Sequence, residues 1–145
     1  GFHTSMIEAS MMVNDRMPEY CAARAARMLN AQGKAVSGSK ILALGAAYKQ
    51  EVADFRVSPA VRVIELLREQ GARLSFYDPY LSRYVWKGKT RPGLPRLTLS
   101  EADLVLVLTA HAPVDYSLVQ KHARQIFDTK NAMKEIVPRE NITVL

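Results

Sequence analysis

Cysteine is almost missing from this 145-residue chain: Cys21 is the single one, so no internal disulfide can form. His3, His111 and His122 lie far apart and share no metal-ligand spacing with Cys21, which excludes a zinc module as well. No apolar run is longer than residues 104–108, far below the roughly 20 residues that cross a bilayer. Residues 1–10 lack the basic start and apolar block of a secretory signal. These absences predict a reducing, cytoplasmic setting with no membrane association. An initiator Met is also lacking and the chain opens inside a helix-like pattern, as expected of a piece of a larger protein.

What is there is enough for one globular domain, with 48% hydrophobic residues and a net charge of +6. A chain of this size supports its own core. The positive balance favours an anionic partner, and nucleic acid, a phosphate-bearing metabolite or an acidic protein face would each satisfy it.

Residues 6–32 show helical spacing, with Met6, Ile7, Met11, Met17, Tyr20, Cys21, Ala25 and Met28 on one side. Pro18 predicts a kink there, or a fresh start capped by Asn14 or Asp15. Ser37-Gly38-Ser39 reads as a hinge. Residues 40–45, KILALG, read as a buried strand. A strongly signalled helix follows, capped by Ser58, opened by Pro59, carrying Val61, Ile64 and Leu67 inward and stopped by Gly71. Residues 73–77 alternate as a second strand, closed by the turn signal Asp78-Pro79. Residues 80–97 keep no period and hold Arg83, Lys87, Lys89, Arg91 and Arg96, which predicts a mobile excursion. Residues 104–108 suit a strand covered on both faces, 114–124 a short helix, and 125–127 and 142–145 two more strands. The alternation predicts an α/β fold: a Rossmann-like, open, mostly parallel sheet flanked by helices and preceded by a helical segment. Ligands of such sheets lie beyond the carboxyl ends of the strands, here after Gly45, Tyr77, Leu108 and Phe127.

The loop GAAYKQEVADFRVSP is not a dinucleotide fingerprint, because only Gly45 of the required glycines is present. It offers Lys49 and Arg56 ahead of a helix start, either as a phosphate cradle or as two solvated cations. Cys21 reads as core or interface. The interleaved Tyr84, Trp86, Lys87, Lys89 and Arg91 suit a basic nucleic-acid-binding module as the alternative function.

The run KILALGAAYKQEVADFRVSPA, the following VIELLREQGARLSFYDPY and the upstream NDRMPEY resemble the carboxyl-terminal part of the UDP-glucose/GDP-mannose dehydrogenases, the nucleotide-sugar 6-dehydrogenases. The resemblance covers about residues 10–131. It implies that residues 1–36 are the end of a central dimerisation helix and 37–145 a Rossmann-like domain that binds the UDP-sugar. The family's cysteine nucleophile and NAD-binding domain belong to earlier segments, so no catalytic residue is expected here, and the fragment is expected to bind without catalysing. By position, Tyr48 and Lys49 match the pair that contacts the sugar nucleotide, and Arg56 matches the arginine reaching towards NAD. Lys130, in Asp128-Thr129-Lys130-Asn131, stands where the family has a nucleotide-contacting arginine; it keeps the charge and loses the bidentate fork. Asp54 is expected to fix its loop or pair with Arg56, and Thr109 and His111 match the family's Thr-x-His. The implied partners are a UDP-sugar, the NAD-binding domain of the same enzyme and a second copy in a homodimer, with no nucleic acid. The wording leans towards UDP-N-acetylmannosamine or UDP-N-acetylglucosamine over UDP-glucose.

Overall fold

The computed structural model describes residues 2–46 and 58–145, with side chains from Arg16 onward. Its first element is the helix α1 (Phe2–Ala31), which runs on through Pro18. No fresh start occurs. The missing N–H deprives only the carbonyl of Asn14 of its helical donor, and the far half of α1 is held by Cys21, Ala22, Ala25 and Leu29 in the core. The connection 37–39 is no hinge. Gly38 N–H donates to Gly71 O at 2.9 Å, Arg73 N–H donates to Ser39 O at 2.8 Å, and the Ser39 hydroxyl donates to Ala35 O.

Strand β1 (Lys40–Leu44) leads towards helix α2 (Pro59–Glu69), whose cap is the expected one: Ser58 Oγ accepts from Val61 N–H at 3.0 Å. Gly71, at φ +95°, ends the helix in a Schellman motif, with Gly71 N–H on Arg68 O and Ala72 N–H on Leu67 O. Then come β2 (Arg73–Tyr77), the hairpin strands β3 (Arg83–Trp86) and β4 (Lys89–Pro92), β5 (Leu104–Val107), helix α3 (Tyr116–His122), β6 (Ile126–Asp128) and β7 (Ile142–Val144). Five strands form one parallel sheet in the order β2-β1-β5-β6-β7. The order reverses at the β1/β5 pair.

Both faces of the sheet are covered, which is why the strands read as unbroken apolar runs. Ile41, Ala43, Leu104, Leu106 and Phe127 face α1 and α2. Leu42, Leu44, Val105, Val107 and Ile126 face α3 and the 94–102 connection. Successive residues thus serve opposite cores, as the strand period of two requires.

The supposed excursion at 80–97 contains an ordered hairpin. Lys87 (φ +48°) and Gly88 (φ +80°) form a two-residue turn with both central residues left-handed, the type whose twist matches its strands. Tyr84, 2% exposed, stacks 5.2 Å from Phe76 and donates its hydroxyl to Glu65 of α2 at 2.5 Å; Arg91 reaches the same carboxylate at 3.1 Å. Two of the residues that suggested a nucleic-acid surface are therefore engaged inside the fold.

At the opposite end, Asp103 gathers Lys34 (2.5 Å), the Lys40 N–H (2.8 Å) and Arg124 (3.3 Å), joining the ends of α1 and α3 to the starts of β1 and β5. The hydrogen bond from Lys34, then that from the Lys40 amide, holds its carboxyl below the usual range against the opposing effect of burial. A depressed folded value stabilises above the unfolded pKa, about 3.9, and that stability is lost as pH falls through the folded value. Asp103→Asn should therefore lower the thermal midpoint by a few degrees at pH 7, and the gap from wild type should close as the pH is taken well below the unfolded value; thermal scans at a series of pH values check this.

Candidate functional site

The strand order places the candidate site at the carboxyl edge of the sheet, where β1, β2, β5 and β6 exit. Gly45 leaves β1 at φ +96°, and a Cβ there would lie 2.5 Å from the Thr109 Cβ, so only glycine lets the exits of β1 and β5 approach this closely. Ala46 follows. Its N–H donates to Asp78 Oδ2 at 2.8 Å and its carbonyl accepts the Ser58 hydroxyl at 2.8 Å. Ser58 thus caps α2 and ties together the two residues that flank segment 47–57.

Asp78 forms the expected turn, its Oδ1 accepting from Tyr80 N–H at 2.8 Å, and does more. Its Oδ2 lies 3.0 Å from His111 Nε2, both side chains being fully buried. A carboxylate accepts, so the network assigns the proton to Nε2. His111 N–H in turn donates to the Tyr116 hydroxyl at 3.1 Å, and the Tyr80 ring meets the imidazole edge-on with centroids 5.2 Å apart. Burial pushes the Tyr116 phenol up.

Beyond β6, the buried Asp128 organises the next turn. Oδ1 accepts from Lys130 N–H and Ala132 N–H at 3.1 Å each, and Oδ2 accepts from Met133 N–H at 2.8 Å. Thr129 Oγ1 donates to Val107 O at 2.7 Å. Lys130 is thereby exposed on the edge of a groove of about 440 Å³ bordered by Thr129, Asn131, Val144 and Leu145. A smaller apolar pocket of about 50 Å³ adjoins it through Lys130 and reaches Met17, Cys21, Pro59 and Ala60, so the first turn of α2 borders the same region. Another hollow, of about 280 Å³ between Lys40, Arg73, Leu94 and Glu101, opens at the amino edge, away from every strand exit.

Of the residues expected to bind, Lys130 stands at this edge; Tyr48, Lys49 and Arg56, like Asp54, lie outside the described residues. Cys21 is a core residue, 5% exposed, whose thiol burial pushes up. Asp78, His111 and Tyr116 form a network that spacing alone does not reveal; the available signal is an Asp and a Thr-x-His, each just past a strand end. Among the described residues no His, Cys, Asp and Glu group is placed to hold a metal ion. No described helix is long and apolar enough to cross a membrane.

A family model described as the UDP-glucose/GDP-mannose dehydrogenase family, UDP binding domain, matches residues 42–135. The chain belongs to this family. It is 32% identical over 144 residues to a UDP-N-acetyl-D-mannosamine dehydrogenase of Methanococcus maripaludis, covering 91% of this chain and 31% of that protein. It is 32% identical over 107 residues to the UDP-glucose 6-dehydrogenase of Rhizobium meliloti, covering 72% of this chain and 24% of the relative. Among solved structures, the UDP-D-ManNAc dehydrogenase of Pyrococcus horikoshii superposes with a TM-score of 0.71 at 27% identity, over 92% of this chain and 31% of the other. The chain thus spans about a third of the length of the curated relatives it matches. The likeness to the UDP-binding domain of this family agrees with the α/β fold, whereas the nucleic-acid reading finds no support in these likenesses.

Proposed function

We propose that this UDP-binding domain works within an NAD-dependent nucleotide-sugar 6-dehydrogenase, which oxidises the 6-hydroxyl of a UDP-sugar to a carboxylate. The observation that carries the reading is the groove with Lys130 at its rim, at the ends of β6 and β7 on the same carboxyl edge as the order reversal at β1/β5. Lys130 supplies a point charge to the nucleotide. Tyr48 and Lys49 contact the sugar nucleotide, and Arg56 reaches towards NAD, which the amino-terminal domain of the same enzyme holds for hydride transfer. Residues 1–36 are the end of the dimerisation helix and 37–145 the binding domain, in a cytoplasmic homodimer. The substrate is UDP-N-acetylmannosamine, UDP-N-acetylglucosamine or UDP-glucose, and the 145-residue chain binds without catalysing.

The test is the thermal midpoint of the chain with UDP, each UDP-sugar, GDP and NAD in turn. UDP at about 100 times its dissociation constant should add roughly 2.7 kcal/mol of stability. Lys49→Ala should abolish the shift, Lys130→Ala should weaken UDP about tenfold, and Lys130→Arg should bind at least as well as wild type. Absence of any response to UDP would reject the assignment.

A further inference from the structure

We infer that Asp78, held by His111, is a positioning residue for the nucleotide site, setting UDP affinity through the placement of Ala46. The inference rests on the functional reading above. Three chain exits share this one carboxylate. Ala46 follows β1 and donates its N–H to Oδ2, Tyr80 follows β2 and donates its N–H to Oδ1, and His111 follows β5 and lies against Oδ2 through Nε2. A turn after β2 needs only one of these oxygens, and Asn or Ser would supply it without burying a charge. Burying an ionised carboxylate is costly unless good hydrogen bonds surround it. Here the second oxygen fixes a peptide of a different strand exit.

The fixed peptide is the informative one. The Ala46 N–H is held by Asp78 and its carbonyl by the Ser58 hydroxyl, so the peptide that leaves β1 at the order reversal of the sheet is fixed on both sides. His111 adds a second restraint. Its own N–H is tied to the Tyr116 hydroxyl ahead of α3, so the imidazole approaches Asp78 from a fixed backbone. Displacing a binding group by about an ångström is enough to weaken a preorganised site many-fold, which is why such supports matter more for affinity than for fold.

The experiment uses the 145-residue chain and measures UDP affinity by titration calorimetry beside the thermal midpoint. Asp78→Asn and His111→Ala should weaken UDP by about tenfold or more. His111→Gln, whose amide N–H can replace Nε2–H, should recover affinity to within about threefold of wild type. Val119→Ala, a truncation in the core on the α3 face, should lower the midpoint and leave UDP affinity within about twofold. Exchange of the Ala46 amide should accelerate in Asp78→Asn and not in Val119→Ala. Unchanged UDP affinity in Asp78→Asn, or an equal loss in Val119→Ala at a matched midpoint, overturns the inference while leaving the UDP reading intact. Wild type that fails to bind UDP overturns that reading, and the inference with it. Should Asp78→Asn not fold, the contrast between His111→Ala and His111→Gln decides: no difference between them overturns the positioning role.

Discussion

Replacing Asp128 by alanine is expected to lower the thermal midpoint by on the order of 10 °C. The carboxylate is fully buried and receives the N–H groups of Lys130, Ala132 and Met133, so its removal strands three donors at once. Hydrogen bonds to a charged acceptor are worth about 1.5–3 kcal/mol each and are not additive when they share one group, which suggests a loss of roughly 3–5 kcal/mol. Asp128→Asn keeps one good acceptor and should fall between wild type and alanine. Circular dichroism melts of the three proteins decide the matter. A shift under about 3 °C for alanine would mean that water or neighbouring carbonyls restore the turn. UDP affinity should fall along with stability, because the same carboxylate holds the Lys130 amide.

Glu65→Ala is expected to be comparably damaging, by about 3–5 kcal/mol, and to act locally first. Glu65 is 2% exposed on α2 and binds Arg68 at 3.3 Å, Tyr84 at 2.5 Å and Arg91 at 3.1 Å. Without it a half-buried guanidinium and a buried phenol lose their acceptor together. Hydrogen exchange should accelerate in β3 and β4 before the sheet opens, since these strands dock through Tyr84 and Arg91. Unaltered exchange in the hairpin would show that Phe76 and Trp86 packing suffices. The site also predicts alkaline behaviour. Burial, then the hydrogen bond to Glu65 and its charge, raise the Tyr84 phenol far above its ordinary range. A raised folded value stabilises below the unfolded pKa of about 10, and that stability is lost as pH climbs above it. Tyr84→Phe should flatten the fall in thermal midpoint above about pH 10.

Much of the frame is legible in the sequence because each local signal has one physical meaning. Ser58-Pro59 and Gly71 mark a helix whose cap and stop are both as expected. The apolar runs at 40–44 and 104–107 mark strands that serve two cores. The hairpin escapes because its signal is weak: Arg83-Tyr84-Val85-Trp86 favours a strand, but Lys-Gly is a less familiar turn pair than Asn-Gly, and the many cations suggest solvent. What orders it is Glu65, a charge inside the apolar stripe of α2, and no periodicity announces that its partners lie beyond the next strand. The third helix is shorter than its apolar pattern because Asp115 caps it and Ala123 turns extended. At the site edge, Asp78 carries an ordinary turn signal, and only the sheet order reveals that its second oxygen reaches the exits of β1 and β5. Lys130 is visible from its motif; its exposure follows from the Asp128 turn.

The bond between Ser58 and Ala46 gives residues 47–57 a common point of departure and return. Closing such a loop is already achieved by two residues outside it, so its length and composition can change with little entropic consequence for the sheet, each doubling of length costing only about 0.6 kcal/mol. Grafting the corresponding stretch from a relative between Ala46 and Ser58 should therefore leave the thermal midpoint of the scaffold almost unchanged.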